Sequence, residues 1–474
     1  MKTDPAETPP FAVGELVTQT LVARAMAVAE APLHAGMAEL ARQCVLDWAG
    51  VALAGSREPL TRLLLAQAQE DGGTPIASLV GSPLRVSLRQ AALLNGAAGH
   101  ALDYDDANVA AQGHVTAAVL PAALAVAQAR GASGDALLRA FAAGYEMAGM
   151  VGQYLGRAHY ERGFHGTATV GSFGAACAAA VLMGLDSETT AVALGIAGTQ
   201  AGGMKAQFGT MCKPLHAGKA AENGVTGAQL AARGFTGRAD LLEAPQGFGA
   251  ATSPSVDARA ALATPTGGSH LNGNLFKYHA ACYGTHAAIE AVRALCLAHE
   301  LAPDDIESIE LDVEPGAQRM CDILRPTTGL QAKFSLRLNA ALAVFGEDTA
   351  APDAYSDATA RRADLAALRD RVQVRFMSED WPRMAAAARV AARDGRALQA
   401  HHDSSVPDAD LARQRVRLVA KFMALAVPVV GQARAVEIVR AIGALEQMKD
   451  IGALMSMLSQ PGNAPDHPFV RTAP

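Results

Sequence analysis

Apolar residues recur at helical spacing through most of the chain. Met37, Leu40, Ala41, Cys44, Val45, Trp48 and Val51 predict an amphipathic helix over 35–53. Ser87 with Gln90 reads as a capping box, opening a helix through Leu93 and Leu94 towards His100. Apolar helices with small-residue faces follow over 116–129 and 135–152, then an Ala-rich buried helix over 172–185 and another over 219–230. Near 264–274 the pattern breaks: Pro265, Gly267, Gly268 and Gly273 among polar residues read as a linker. Beyond it the period shortens to two. Ile309, Leu311 and Val313 alternate with Glu310 and Asp312, Val372, Val374 and Phe376 do the same, and 388–399 turns at Asp394-Gly395 as a hairpin. Helices over 281–299 and 335–345 interleave with these strands. Helical spacing returns over 411–458, where Pro428 should break or kink it.

This order predicts a mainly α protein. A large all-α domain is expected from 12–266 and 405–460, its last segment packing back on the first. A smaller α+β lid domain, 267–404, is expected as an insertion closing over it. A length of 474 residues suits such a division.

Composition narrows the class. Half the residues are hydrophobic but only 5% aromatic, and Ala and Gly abound, which suits helices in close contact. A net charge of −6 without a sustained basic stretch argues against nucleic acid as a partner. Cys44, Cys177, Cys212, Cys282, Cys296 and Cys321 form no CxxC pair, so free thiols in a reducing compartment are expected. Met1 to Phe11 is proline-rich and lacks a secretory pattern, and no uncharged apolar run is read as a membrane span. A cytoplasmic protein without a membrane partner is the expectation.

Against this apolar background one stretch stands out. His100-Ala-Leu-Asp103-Tyr-Asp105-Asp106 puts three carboxylates within four residues, with His114 close behind. Carboxylates so close repel unless cations or donors offset them, and beyond a helix C-terminus they also oppose its dipole. Three further polar islands follow: Gly163-Phe-His165-Gly, Lys213-Pro-Leu-His216, and Lys277-Tyr-His279. His165 is expected on a turn before its helix, and Lys213 and His216 at or just before the helix opening at Lys219. A solvated loop, a structural histidine and snorkelling lysines are the plain alternatives. Together, His, Lys and Asp among small residues can hold a di- or tricarboxylate and move a proton at carbon. Metal ligation by His100, Asp103 and His114 lacks a strong ligand spacing, the G-x4-G-K-[ST] phosphate loop is absent, and so is a G-x-S-x-G elbow. No cofactor and no metal are expected.

At these residues the chain resembles the MmgE/PrpD family, which includes 2-methylcitrate dehydratase, cis-aconitate decarboxylase and iminodisuccinate epimerase. The resemblance runs from about Ala35 to Leu458. It rests on the His100–Asp106 run, Gly163-Phe-His165-Gly-Thr167, Lys213-Pro-Leu-His216-Ala-Gly-Lys-Ala-Ala, Ala232-Arg-Gly-Phe-Thr236-Gly, and Lys277-Tyr-His-Ala-Ala-Cys282 with His286. It implies the helical body and lid just described, a homodimer, and cofactor-independent chemistry on a small polycarboxylate. By the same resemblance His165, Lys277, Asp103 and Lys213 are catalytic, with His165 or Lys277 exchanging the proton and Asp103 tuning its neighbours. His114, His100, His216 and Asp106 are expected to bind substrate, with Lys213 also holding a carboxylate.

Three positions depart from the family's decarboxylases. Ala107 stands where they carry Thr, Leu338 where a Phe-Ser-Leu-x-Tyr run ends in Tyr, and His114-Val-Thr116 where His-Pro-Ser is usual. The expected function is therefore a lyase, dehydratase or decarboxylase. An amino-dicarboxylate epimerase, a metal-dependent hydratase and a member that binds metabolite without turnover are the alternatives.

Overall fold

The computed structural model of the chain describes residues 16–459, so the Met1–Phe11 stretch lies outside them. The fold is mainly α, with short strands, as the periodicity predicts. The helices that matter below are α1 (Ala35–Gly55), α2 (Leu88–His100), α3 (Val115–Arg130), α4 (Gly134–Glu161), α5 (Gly166–Met183), α6 (Cys212–Ala231), α7 (His286–His299), α8 (Leu336–Val344) and α9 (Leu411–Val430). The capping box forms as read: Ser87 accepts from the Gln90 N–H, and Gln90 accepts from the Ser87 N–H.

Two hydrophobic clusters carry most of the packing. One unites α1, α3, α4 and α5 with Leu418, Phe422 and Val429 of α9 and residues up to Leu458, so the C-terminal segment does pack on the first helices. The other gathers Ile289 and Val292 of α7, Leu338 and Leu342 of α8, and the sheet residues Ile309, Leu311 and Val390. Val51, Tyr104 and Leu425 of the helical body also belong to this second cluster and stitch the two together. Its sheet has four strands: β3 (Ile306–Val313), β4 (Val372–Phe376), β5 (Ala385–Ala392) and β6 (Ala397–Asp403), in the order β4-β3-β5-β6. β3 and β4 run parallel with Ile309 opposite Val372, whereas β5 and β6 form the expected hairpin. Gly395 supplies its left-handed turn at φ 90°.

Four local expectations are corrected. The helix read from Ser172 begins at Gly166, with His165 as its N-cap. The helix read from Lys219 begins at Cys212, because Pro214 in a first turn loses no intrahelical bond. Lys213 and His216 therefore lie inside it. Pro428 does not interrupt α9, which ends two residues later at Val430, before Gly431, where φ is 80°. The supposed linker is anchored from Ser269 onward: Glu146 accepts from the His270 and Leu271 N–H groups at 2.9 and 3.0 Å.

Against the expectation that no uncharged apolar run reaches the length of a membrane span, one helix does. α5 is 18 residues long and apolar enough to cross a bilayer, but 83% of that window is buried inside the protein, where it packs against α3, α4 and α6.

Small residues set the helix spacing where it matters for the site. A Cβ on Gly96 of α2 would meet the Gly218 Cα of α6 at 2.9 Å, and one on Gly218 would meet the Leu93 carbonyl oxygen at 2.3 Å. The two backbones touch. One turn beyond the crossing α2 ends in His100, and about a turn and a half before it the first turn of α6 carries Lys213.

Candidate active site

Asp103 is the centre of the cluster. It follows the C-terminus of α2 in a left-handed conformation, φ 51°, which Asp tolerates better than most residues. Lys213 approaches its Oδ1 at 2.6 Å and Lys277 at 3.0 Å, while Lys277 Nζ also donates to the Asp103 carbonyl at 2.5 Å. The Asp103 side chain stays 51% exposed, so a solute can reach the carboxylate on which the two lysines converge. Burial opposes its charge, but Lys277 and then Lys213 outweigh that and hold its pKa well below the usual carboxylate range. Burial likewise works against the Lys277 ammonium, yet Asp103 and Asp105 raise its pKa above the ordinary lysine value. Lys277 rests as a proton donor.

Strand pairing brings Lys277 here. β1 (Ala107–Asn108) pairs antiparallel with β2 (Asn274–Leu275), Ala107 opposite Leu275, which sets Lys277 beside the acidic run. Lys333 is a further ammonium, within electrostatic reach of Glu58 and Asp103, although burial pulls its pKa down. Its carbonyl accepts from the Cys282 N–H at 3.0 Å, five residues past Lys277.

Around this centre stand the imidazoles. His114 donates from Nδ1 to the Asp106 carbonyl at 2.7 Å, and a carbonyl can only accept, so its Nε2 is left to face Asp103 Oδ1 at 3.6 Å. His100 Nδ1 lies 2.8 Å from Asp105 Oδ1, and its buried Nε2 has no partner among the described residues. Burial lowers the His100 pKa to about 4 despite Asp105, while His100 and His114 hold Asp105 well down against burial. A neutral imidazole thus donates to an ionised carboxylate.

His165 Nδ1 and His216 Nδ1 lie 3.1 Å apart, so one must donate and the other accept. Burial, then His100 and His114, push the His165 pKa far down, and burial lowers His216. Both rest neutral. The His165 N–H donates to the Gly203 carbonyl at 2.9 Å and Phe208 stands edge-on to the ring, fixing it at the head of α5.

Seven of the eight residues singled out from sequence therefore meet: His100, Asp103, His114, His165, Lys213, His216 and Lys277. Asp106 is the exception. Its carboxylate turns beneath the site, accepting from Thr116 Oγ1 at 2.6 Å and Asn274 Nδ2 at 3.0 Å, and only its carbonyl serves the site, through His114. Asp105, within the same acidic run, was missed as the partner of two imidazoles. Nothing in its spacing distinguishes it from Asp106. His279 also points elsewhere, to Thr349 and Glu290. A cavity of about 540 Å³ lies beside the Lys277 segment, between Tyr278, Tyr283, Glu290, His402, Arg413 and Arg417, but none of the seven residues lines it.

Burial, then Asp47, push the Asp106 pKa up to about 7, and its Oδ1 has no partner among the described residues. A carboxyl raised in the folded state destabilises as it ionises, so its contribution is lost as pH rises from the unfolded value, about 3.9, towards 7. Asp106→Asn removes that dependence. Its thermal midpoint should gain on the wild type steadily between pH 4 and 7 and hold a constant offset above. A parallel pair of melting curves across that range would contradict it.

The donors His100, Asp103, Asp105 and His114 stand close enough to surround a cation, with ligand atoms within 4.8 Å of one another. Asp103 Oδ1, however, already bonds two ammoniums, and His114 Nδ1 is committed to a carbonyl. At Asp103 the positive charge is supplied by lysine, and at Asp105 the partners are the two imidazoles.

Fold and site together define a mainly helical scaffold carrying a lysine–histidine–carboxylate cluster suited to acid–base work on an anion. The model of the MmgE/PrpD N-terminal domain matches residues 20–261 and that of the MmgE/PrpD C-terminal domain residues 279–447, and the chain belongs to this family. Lys277 falls between the two matched segments. The chain is 34% identical over 215 residues to the cis-aconitate decarboxylase of Homo sapiens, covering 44% of each chain. It is 32% identical over 280 residues to the cis-aconitate decarboxylase-like protein oryM of Aspergillus oryzae, covering 56% of this chain and 58% of the relative. With the cis-aconitate decarboxylase of Aspergillus terreus it shares 29% over 271 residues, 54% and 55% of the two. The chain spans about half the length of the curated relatives it matches.

Proposed function

We propose that the protein is a cofactor-independent lyase acting on a small tricarboxylate of the cis-aconitate type. The observation that carries this is the convergence of two ammoniums on one half-exposed carboxylate, walled by imidazoles. A polyanion entering there exchanges Asp103 for its own carboxylates at Lys213 and Lys277. The names of the relatives supply the substrate class, and the geometry supplies the chemistry.

In cis-aconitate a carboxylate sits on the CH2 next to the double bond. Breaking its C–CO2 bond releases CO2 and leaves the electron pair on carbon. That pair forms a new terminal C=C, the old double-bond pair moves to the far carbon, and this carbon takes a proton. Charge builds up beside a second carboxylate, where fixed cations are worth most. Lys277 is the proton donor by its state and place, Lys213 holds a carboxylate, and the His165–His216 pair returns the proton. Dehydration would use the same groups in another order, with a neutral imidazole removing a proton next to a carboxylate.

The test is NMR in heavy water with cis-aconitate, 2-methylcitrate, citrate and amino-dicarboxylates. The expected result is CO2 release from cis-aconitate with one deuterium in the product, unaffected by chelator. Binding with neither exchange nor bond cleavage on any of these acids would sink the reading. Loss of turnover with chelator would overturn cofactor independence alone.

A second reading keeps the scaffold and changes the reaction. Ala107 lies in the strand opposite Leu275 and offers no hydroxyl beside Asp106, while Leu338 is wholly buried in the hydrophobic cluster around the four-stranded sheet. Both positions carry hydroxyls in the family's decarboxylases. Dehydration or epimerisation, seen as exchange without CO2 in the same experiment, is what their absence favours.

A further inference from the structure

We propose that Lys421, neutralised by Asp47, is a positioning residue that locks the two backbone segments bearing Asp103 and Lys277 into register. Neither belongs to the cluster at the mouth, and both are buried, at 1% and 2% exposure. Lys421 Nζ donates to the Tyr104 carbonyl at 2.6 Å and to the Lys277 carbonyl at 2.8 Å, and it pairs with Asp47 Oδ1 at 2.5 Å. An ammonium has three protons. Two of them go to the carbonyls, the charge is balanced by the Asp47 ion pair, and the Tyr104 ring caps the group 3.9 Å from its centroid.

Tyr104 follows Asp103 directly, and the Lys277 carbonyl belongs to the very residue whose Nζ bonds Asp103. The two segments are thus tied twice. Above, the Lys277 side chain holds the Asp103 carboxylate and carbonyl. Below, Lys421 holds the Tyr104 and Lys277 carbonyls. The lower tie originates on α9 and its counter-charge on α1, so four stretches of chain distant in sequence meet at one nitrogen.

Stability alone does not account for this arrangement. A buried ion pair is frequently no better than apolar residues of the same volume, because desolvating both charges offsets their attraction. What the pair provides is a fixed relation between two carbonyls, and through them between a carboxylate and the ammonium it serves. Misplacement by about 1 Å at a reacting group can lower a rate by about a hundredfold. The left-handed Asp103 makes its loop a segment that needs such a hold.

The test uses the full chain with both charges removed together, Asp47→Asn/Lys421→Met, so that no lone buried ion remains. Hydrogen exchange of backbone amides needs no substrate and reads the positioning by itself. Exchange in 101–107 and 276–282 should rise at least tenfold while α3 and α5 keep wild-type protection. The turnover arm rests on the function proposed above. There kcat for cis-aconitate should fall at least thirtyfold, with KM within threefold of wild type. Unchanged exchange in those two segments, or an equal rise throughout the protein, would overturn the proposal. So would wild-type kcat in a folded variant. Should the wild type itself not turn over cis-aconitate, the function falls and the exchange data still decide the positioning. If the double variant does not fold, Asp47→Asn/Lys421→Gln is read in the same way.

Discussion

Lys277→Ala is expected to lower kcat by about three orders of magnitude, the middle of the range for losing a general acid or base, and to abolish deuterium incorporation. The reason is its place, not its charge alone. Lys213 touches the same Asp103 oxygen, yet only Lys277 also bonds the Asp103 carbonyl and is pinned through its own carbonyl from below. Losing Lys213 should therefore weaken substrate binding, raising KM more than it lowers kcat. Losing Lys277 removes a group held rigidly enough to deliver a proton to carbon. Steady-state kinetics with product isotope content by NMR check both, and comparable KM effects from the two variants would contradict the division of roles. Circular dichroism must show Lys277→Ala folded, since the substitution leaves Asp103 with one lysine partner.

His165→Asn is expected to lower kcat by about a hundredfold or more, the lower bound for acid–base assistance. Asn can still bond His216 across the 3.1 Å gap, so the variant removes proton transfer while keeping much of the local hydrogen bonding. The imidazole is kept neutral by burial and by its neighbours His100 and His114. It therefore rests unprotonated across the working range, and activity should show no alkaline requirement arising from this group. Rates retained within threefold would transfer the role to His114, whose Nε2 also faces Asp103.

Much of this was legible in the residues. The capping box over Ser87 and Gln90, the period-two strands and the Asp394-Gly395 hairpin are local signals, and each forms as read. The sequence pattern places two helix starts late, at Ser172 and Lys219, because Gly166 to Gly171 and Pro214 look like breakers in isolation. In the fold they sit in a first helical turn, or in a contact too tight for a side chain. The polar islands pointed to seven groups that meet, since Lys and His among Gly and Ala are conspicuous in so apolar a chain. Asp47 and Lys421 were invisible for the opposite reason. Each lies within an ordinary amphipathic helix, and only the packing of α9 on α1 reveals that the charges face each other inside. Asp106 misled because adjacent carboxylates alternate in direction, which a sequence does not display.

The contact between Gly96 and Gly218 has a bearing on how this molecule tolerates change. The gap separating the imidazole of His100 from the ammonium of Lys213 is gauged by two main chains resting on each other. Main-chain atoms do not vary with substitution, so the neighbouring apolar residues are free to drift in identity without retuning the reactive groups, provided that this one pair of positions stays bare.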